Sequence, residues 1–502
     1  ISSVTSDAAT LTASKAATDA VSVAVAVVPG KTFTLTTAAE NLSGTAGDDG
    51  FVSVITGAGA AGTTLLPGDV LNGGEGVDTL TISTAGALGA AYTSAAIQST
   101  GIEKVMFNAY DTDGNNLTMD LTLFSGLQTL GTNSGSATGD LVVTGAKNLL
   151  DIVANNMAGD ITMTYPAGVT SVLLGDQTQN IAVSGATGQI SVAGVEVVNV
   201  DSTLVASTLS DLVIDNARTL NITGDKDLKI TNVVDMANTT SAVASAIDGT
   251  VDASAFTGKL NFTPGAGSGE NMKITGGSAN DTINMAGGLN GFDVIDGGEG
   301  DDTITVDSGF AATAFAQVTN VEVTSINASA AAITADASKT AGNTLGLNLR
   351  DAADNSTKLT TTVSKVDGKT ISLTKTADAA DANNNDGVIL NLADSVDSTD
   401  DTVNVKLNSV GTATSANGGY DTLGVSSYET VNITANKSAA GAAANEIINL
   451  TVGATTSSIN IDGTGNFSTT LGTGAKVTSV DASGLAGALV LTASAANATY
   501  KM

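Results

Sequence analysis

The stretch from Gly276 to Thr305 decides the fold and reads GGSANDTINMAGGLNGFDVIDGGEGDDTIT. It contains three copies of the nonapeptide G-G-x-G-x-D-x-U-x, in which U is a large apolar residue. The copies are GGSANDTIN from Gly276, GLNGFDVID from Gly288 and GGEGDDTIT from Gly297. Their sixth residues are Asp281, Asp293 and Asp302, and their eighth residues are Ile283, Ile295 and Ile304. Because the Asp and the Ile keep one phase three times, the stretch indicates a parallel β-roll rather than a loop between ordinary strands.

The two parts of the nonapeptide predict different structures. Glycines in the first six residues permit positive φ and close backbone approach, so carbonyl and Asp carboxylate oxygens can converge on one point. The last three residues predict a short strand whose large apolar side chain points inward. Calcium takes about six to eight oxygen ligands, which carbonyls and carboxylates of successive turns can supply. The sequence therefore predicts calcium between turns.

A second cassette of the same design lies at residues 44–81. Its copies are GTAGDDGFV from Gly44, TLLPGDVLN from Thr64 and GGEGVDTLT from Gly73. The sixth residues are Asp49, Asp69 and Asp78, and the eighth residues are Phe51, Leu71 and Leu80. In both cassettes an insertion separates the first copy from a contiguous pair, so the two cassettes correspond in detail. If the ligand loops of a roll stack on one side, alternate copies are expected to face each other.

Several calcium ions are expected, with ligands from the aspartates and glycines of both cassettes. The predicted metal-site residues are Asp48, Asp49, Asp69, Gly73, Gly74, Gly76, Asp78, Gly276, Gly277, Asp281, Asp293, Gly297, Gly298, Gly300, Asp301 and Asp302. Asp111 and Asp113 join them from the separate loop DTDGNN, for which a solvated Asx-turn is the alternative. The acidic clusters 378–386 and 397–401 are interpreted as polar loop tips.

Other landmarks recur in the same order along the chain. Glu103 in GIEKVMFNA returns as Glu322 in NVEVTSINA, and Glu196 in GVEVVNV returns as Glu429 in SYETVNI. The cassettes begin 232 residues apart, at Gly44 and Gly276. The chain is therefore predicted to be an elongated tandem duplication of a unit of about 230 residues. Fourfold repetition of the Glu favours a structural role over four catalytic sites.

The predicted organisation has three parts. Residues 1–30 are a linker or the tail of a missing N-terminal domain, 31–263 a first β unit, and 264–502 a second. Between landmarks the chain reads as further short-strand modules, such as LVVTGA from Leu141 and VNVKLN from Val403. The segment from Ala8 to Val28 contains the only predicted helix, and no apolar run is long enough to span a bilayer. The fold class is all-β.

Composition narrows the function. The 502 residues include 50 acidic and 19 basic ones, for a net charge of −31, so nucleic acid is a poor partner and divalent cations are natural ones. Aromatic residues make up 3% of the chain and Trp is absent, which predicts a thin core of stacked strands. Absence of Cys suits an exported protein held together by metal in place of disulfides.

The sequence contains few of the residue types and motifs that enzymes use for catalysis. The chain has no His, and its two arginines, Arg218 and Arg350, lie in different contexts. No nucleophile elbow, P-loop or dinucleotide fingerprint is present. The protein is therefore predicted not to be an enzyme. A calcium-dependent polysaccharide lyase on a β-helix is the best enzymatic alternative, and the lack of a cationic cleft counts against it.

The nonapeptides, the strands DTLTIS and DTITVD, and the I/V-E-x-V and DAS-x-x-x-G landmarks resemble the RTX-type surface-layer proteins of Gram-negative bacteria. This resemblance implies type I secretion, calcium-dependent folding outside the cell, and self-assembly into a two-dimensional lattice on the cell surface. It also implies an N-terminal anchoring domain that binds lipopolysaccharide and a C-terminal secretion signal, and neither is evident among residues 1–502. A structural surface-layer protein is the expected function, without membrane insertion. A calcium-stiffened adhesin or stalk is the alternative.

Overall fold

A computed structural model describes most of the chain. The described residues are 28–57, 61–94, 97–108, 114–134, 139–170, 176–234, 236, 245–265, 270–286, 288–307, 313–328, 334–349, 359–374, 387–393, 401–408, 419–436, 445–472, 476–493 and 498–502. They form parallel β-sheets wound as a β-solenoid of about 14 turns, with about 1% helix. The predicted all-β solenoid is therefore confirmed. The chain divides into two compact units, Ile1–Thr170 (unit 1) and Ser171–Met502 (unit 2).

Unit 1 consists of short strands that alternate among three sheets. The strands are β1 Thr32–Thr34, β2 Asn41–Ser43, β3 Gly50–Ile55, β4 Val70–Asn72, β5 Thr79–Thr84, β6 Tyr92–Thr93, β7 Gln98–Thr100, β8 Lys104–Asn108, β9 Leu117–Asp120, β10 Phe124–Ser125, β11 Thr129–Ser134, β12 Leu141–Thr144, β13 Asp151–Asn155 and β14 Ile161–Thr164. Within the unit, the sheet orders are β1-β3-β5-β8-β11-β13, β2-β4-β7-β10 and β6-β9-β12-β14. Neighbours in a sheet are non-consecutive in sequence and parallel, which is the arrangement of a solenoid.

Unit 2 continues the same construction with longer sheets. Its strands are β15 Thr178–Ser184, β16 Ile190–Val192, β17 Val197–Ser202, β18 Ser207–Leu209, β19 Leu212–Val213, β20 Thr219–Gly224, β21 Leu228–Val234, β22 Gly249–Asp252, β23 Leu260–Pro264, β24 Met272–Thr275, β25 Thr282–Ala286, β26 Val294–Asp296, β27 Thr303–Asp307, β28 Val318–Thr319, β29 Val323–Ala328, β30 Thr334–Asp336, β31 Thr344–Leu349, β32 Leu359–Ser364, β33 Thr370–Thr374, β34 Gly387–Ala393, β35 Thr402–Asn408, β36 Gly419–Ser426, β37 Thr430–Asn436, β38 Asn445–Val452, β39 Ser458–Gly463, β40 Phe467–Leu471, β41 Ser479–Leu485, β42 Leu489–Ala493 and β43 Thr499–Lys501. From β29 onward, odd-numbered strands belong to one sheet, and even-numbered strands from β30 to β42 belong to another. Ala337–Lys339 forms a 3-10 turn.

Columns of inward-facing side chains make the core. In unit 2 one column contains Ile283, Ile304, Thr324, Leu345, Ile371, Val405, Ile433 and Ile461, each paired in register with the next. Its one polar member, Thr324, is fully buried and donates its hydroxyl hydrogen to the Ala341 carbonyl at 2.9 Å. One or two apolar residues from each strand thus suffice, which is how so few aromatic residues build this fold.

The cassettes lie in the solenoid as the nonapeptide phase predicts. The first and third copies supply neighbouring strands of one sheet, β3 with β5 and β25 with β27. The middle copies supply β4 and β26, which belong to other sheets. All six eighth-position residues are at most 1% exposed: Phe51, Leu71, Leu80, Ile283, Ile295 and Ile304. The predicted inward apolar position is therefore confirmed.

Some predictions made from the sequence are not tested by the observed fold. The predicted helix from Ala8 lies outside the described residues up to position 27. The predicted repeat boundary between residues 263 and 264 falls inside unit 2 and remains a prediction, since it concerns sequence duplication and not compactness. In the part of the chain that the structure describes, no helix is long and apolar enough to cross a membrane.

Candidate functional site

The six sixth-position aspartates of the cassettes are buried. Their exposed fractions are at most 2%, and the six are Asp49, Asp69, Asp78, Asp281, Asp293 and Asp302. An ionised carboxylate removed from water is costly unless hydrogen bonds, a cation or a proton compensate its charge. The partners of each carboxylate oxygen therefore decide what these residues do.

Four of the aspartates have both oxygens occupied by main-chain N–H groups. Asp281 accepts from Leu260 N at 2.8 Å and from Gly277 N at 2.7 Å. Asp293 accepts from Met272 N and Asn290 N, both at 2.7 Å. In each pair, one donor lies in the same nonapeptide and the other about one turn earlier.

The same arrangement holds in the first cassette. Asp69 accepts from Glu40 N at 2.9 Å and from Leu66 N at 2.7 Å. Asp49 accepts from Lys31 N at 2.5 Å and from the amide and hydroxyl of Thr45. These carboxylates link one turn of the solenoid to the next by hydrogen bonds. The sixth-position aspartate of the calcium motif therefore has a structural role here.

Asp78 and Asp302 differ from the other four. Oδ1 of Asp78 accepts from Asp49 N at 2.6 Å, and Oδ1 of Asp302 accepts from Asp281 N at 2.7 Å. Oδ2 of each is buried and has no hydrogen-bond partner among the described residues. Both residues stand in the third copy of their cassette, so the two units present the same uncompensated oxygen at matching positions.

The second residue of the nonapeptide accounts for this difference. Gly277 in the first copy points its N–H at the carboxylate of Asp281. The matching Gly298 has φ 98° and donates instead to Asp296 Oδ1 at 3.2 Å. Gly74 in the first cassette has φ 106° and lies in the same left-handed region. The third copies thus share a left-handed second residue, and in the second cassette the N–H of that residue bonds to Asp296 and not to the Asp302 carboxylate.

A carbonyl oxygen accompanies each unpartnered carboxylate oxygen. A β-carbon at position 73 would lie 1.6 Å from the Gly101 carbonyl oxygen and 2.3 Å from Asp78 Oδ2. At position 297 the corresponding distances are 1.9 Å to the Asn320 carbonyl oxygen and 2.7 Å to Asp302 Oδ2. Only glycine fits where two oxygens crowd one small space. The same crowding occurs at Gly44 and Gly276, but there the carboxylate oxygen also accepts an N–H group, which the oxygens at positions 73 and 297 lack.

The recurring glutamates Glu103 and Glu322 lie beside the two aspartates in the same geometry. Glu103 Oε2 accepts from Asp78 N, and Glu322 Oε2 accepts from Asp302 N, both at 2.8 Å. In return, the Asp carbonyl accepts the glutamate N–H, at 3.1 Å in both units. Each unpartnered aspartate oxygen is thus in a neighbourhood that contains a second carboxylate.

The acidities reflect this environment. Burial, together with the nearby charges of Asp281, Glu322 and Asp301, raises the pKa of Asp302 from 3.8 to about 6. Burial and the charges of Glu103, Asp49 and Asp48 likewise raise the pKa of Asp78. For Asp49, burial acts in the same direction, but the hydrogen bonds from Thr45 and Lys31 outweigh it and the pKa is lowered. Burial also raises the pKa of Asp281 and Asp293, so what sets Asp78 and Asp302 apart is the added repulsion from nearby carboxylates and the oxygen without a donor.

The raised pKa of Asp302 predicts a pH dependence in the absence of divalent cations. Because the pKa of Asp302 is higher folded than unfolded, the folded state binds more protons between about pH 4 and 6. Its contribution to the free energy of unfolding is therefore expected to fall as the pH rises through that window, by at most about 3 kcal/mol. Denaturant unfolding in chelator, compared between wild type and Asp302→Asn, isolates this contribution. A difference that does not change with pH would contradict it.

The remaining predicted residues lie nearby but do different things. Asp48 is exposed and accepts from Val77 N at 2.8 Å, and Asp301 is exposed. Gly76 and Gly300, like Gly74 and Gly298, adopt positive φ. Gly276 and Gly277 are buried. Asp111, Asp113 and the acidic positions 378–386 and 397–400 lie outside the described residues.

Four glutamates share one role that the sequence indicated only by repetition. Beyond Glu103 and Glu322, Glu196 accepts from Gln177 N at 3.0 Å and Glu429 from Asp401 N at 2.8 Å. Each glutamate therefore ties its own strand to the turn before it. The expectation of a structural role agrees with these contacts. The sequence did not predict that Glu103 and Glu322 lie close to the unpartnered aspartates, because each glutamate is 25 or 20 residues away from its aspartate in sequence.

Carboxylates alone do not assemble a metal site here. Among the described residues, no group of three or more acidic side chains is placed to hold a metal ion. Any cation at Asp78 or Asp302 would require main-chain carbonyl oxygens as further ligands, as the nonapeptide predicts. No protein-family model matches the chain, and comparison with curated proteins gives no match.

Proposed function

We propose that this chain is a calcium-stabilised structural protein that associates with copies of itself into a two-dimensional lattice on a bacterial cell surface. The observation that carries the proposal is the pair of buried, unpartnered oxygens on Asp78 and Asp302, at matching positions of two nonapeptide cassettes. Calcium is the cofactor that their chemistry favours, since it takes oxygen ligands and tolerates irregular geometry.

Charge supports a role for the cation in both folding and association. At a net charge of −31 the chain repels itself and its neighbours. An ion that binds the folded turns and not the unfolded chain stabilises the folded state by mass action. Calcium sites of extracellular modules have dissociation constants of roughly 10⁻⁴ to 10⁻³ M, so folding would await export to a calcium-rich exterior.

Ladders of amide side chains support a structural role over a catalytic one. Asn432 Nδ2 donates to Asn404 Oδ1 at 2.9 Å, and Asn460 Nδ2 donates to Asn432 Oδ1 at 2.8 Å. A matching ladder joins Asn180, Asn199 and Asn221. Such side-chain ladders add hydrogen bonds between successive turns and stiffen the solenoid. A stiff repeat suits a lattice member.

Electron microscopy of the purified protein tests the lattice. With millimolar calcium we expect periodic sheets, and with chelator we expect them to disperse. Isolated rods in calcium would favour the adhesin or stalk instead, because a stalk needs stiffness without lateral contacts. Sheets that persist in chelator would contradict a role for calcium in assembly.

A further inference from the structure

Glu103 and Glu322 hold the same position relative to the two unpartnered aspartates. Each accepts the main-chain N–H of its aspartate at 2.8 Å, and each is half-buried. The aspartates themselves, Asp78 and Asp302, are at most 1% exposed and keep one oxygen without a partner. A glutamate charge is therefore fixed beside a buried oxygen of the same sign.

The hydrogen bond of these glutamates does not by itself require an acidic neighbour. Glu196 makes the same bond to Gln177 N at 3.0 Å, where the position of the aspartate is taken by a neutral side chain. The bond to the preceding turn and the charge beside the aspartate are thus separable roles. Where only the first role is needed, the chain still uses glutamate.

In the two cassettes the glutamate acts against the stability of the cation-free fold. Glu322 Oε2 lies 2.8 Å from Asp302 N, and Glu103 Oε2 lies 2.8 Å from Asp78 N, so each glutamate charge lies near a buried carboxylate of the same sign and repels it. A glutamine would make the same hydrogen bond without this repulsion. The unfavourable charge is accounted for if a divalent cation joins the pair, since two negative charges then meet two positive ones.

We propose that Glu103 and Glu322 each supply the second negative charge of a divalent-cation site whose first charge is the unpartnered carboxylate oxygen of Asp78 or Asp302. This inference rests on the proposed calcium-binding function and identifies the residues that tune it. The glutamates act through the electric field at the site while their carboxylates remain bonded to the aspartate N–H groups. They set the affinity for a doubly charged ion over a singly charged one.

The test compares Glu103→Gln/Glu322→Gln with Glu196→Gln in the full chain. Glutamine preserves the acceptor for the aspartate N–H, so both variants keep the bond between turns. The double variant is expected to bind calcium about tenfold more weakly by titration calorimetry. In chelator it should melt at a higher temperature than wild type, because the like-charge repulsion is gone. Glu196→Gln is expected to leave calcium affinity unchanged and to lack that rise.

Each outcome separates the two proposals. Unchanged calcium affinity in the double variant, with wild type binding normally, would overturn the role of the glutamates and leave the calcium function standing. An equal loss of affinity in Glu196→Gln would overturn it as well, because the effect would then follow from the bond between turns. A wild-type protein that binds no calcium would overturn the proposed function and this inference with it.

Discussion

Removal of calcium is expected to lower the melting temperature of unit 1 by about 5 to 10 °C, and that of the larger unit 2 by less. One site per unit, saturated at about 100 times its dissociation constant, contributes roughly 2.7 kcal/mol to the free energy of unfolding. For a unit of the size of unit 1, each 1 kcal/mol corresponds to about 2 to 4 °C, and for the larger unit 2 it corresponds to less. Loss of the ion also leaves the buried Oδ2 of Asp302 without a partner.

Differential scanning calorimetry with calcium and with chelator measures this shift. The matched control is Asp78→Asn/Asp302→Asn, which removes the unpartnered oxygens and should melt at nearly the same temperature in both conditions. Magnesium should stabilise less than calcium at equal concentration, because it demands octahedral geometry and gives up its water reluctantly. Equal melting temperatures of wild type with calcium and with chelator would refute calcium-linked folding.

The nonapeptide phase predicts most of the fold because the burial of one apolar residue in nine decides which strands stack on each other. An apolar residue at the eighth position, such as Ile304, leaves water only if its strand stacks on the strand one turn away. The pairing of Ile283 with Ile304 and the placement of β26 in another sheet both follow from that repeat. Local sequence is sufficient here, since each turn contacts only its neighbours.

The state of each carboxylate could not be predicted in the same way. Asp281 and Asp302 occupy the same position of the same motif, yet one has two N–H donors and the other has one. The difference lies in the φ of Gly298, and glycine at that position is compatible with either turn. The spacing of the motif predicts six aspartates as candidate ligands. Only the conformation of successive turns shows which two of them retain an unpartnered oxygen.

Asp302→Asn is expected to be more stable than wild type in chelator and to lose that advantage in calcium. The carboxamide oxygen can still accept from Asp281 N, which donates at 2.7 Å in the native protein. The new NH₂ group can donate toward the Asn320 carbonyl, and the buried charge is gone. In chelator above pH 6 the variant should therefore gain up to about 3 kcal/mol in free energy of unfolding. In saturating calcium the wild type gains roughly 2.7 kcal/mol of ligand stabilisation that the variant lacks, so the two proteins should be nearly equal in stability.

Asp293→Asn is the matched control for this change. Both oxygens of Asp293 accept main-chain N–H groups at 2.7 Å, so a carboxamide must turn its NH₂ toward Met272 N or Asn290 N. A donor facing a buried donor costs about 1 to 3 kcal/mol, and that cost does not depend on calcium at another turn. Urea unfolding of both variants in calcium and in chelator distinguishes the two kinds of aspartate. If Asp302→Asn were destabilising by the same amount in both solutions, Oδ2 would be a structural acceptor like the oxygens of Asp293. The turn of the third copy would then not be a cation-binding site.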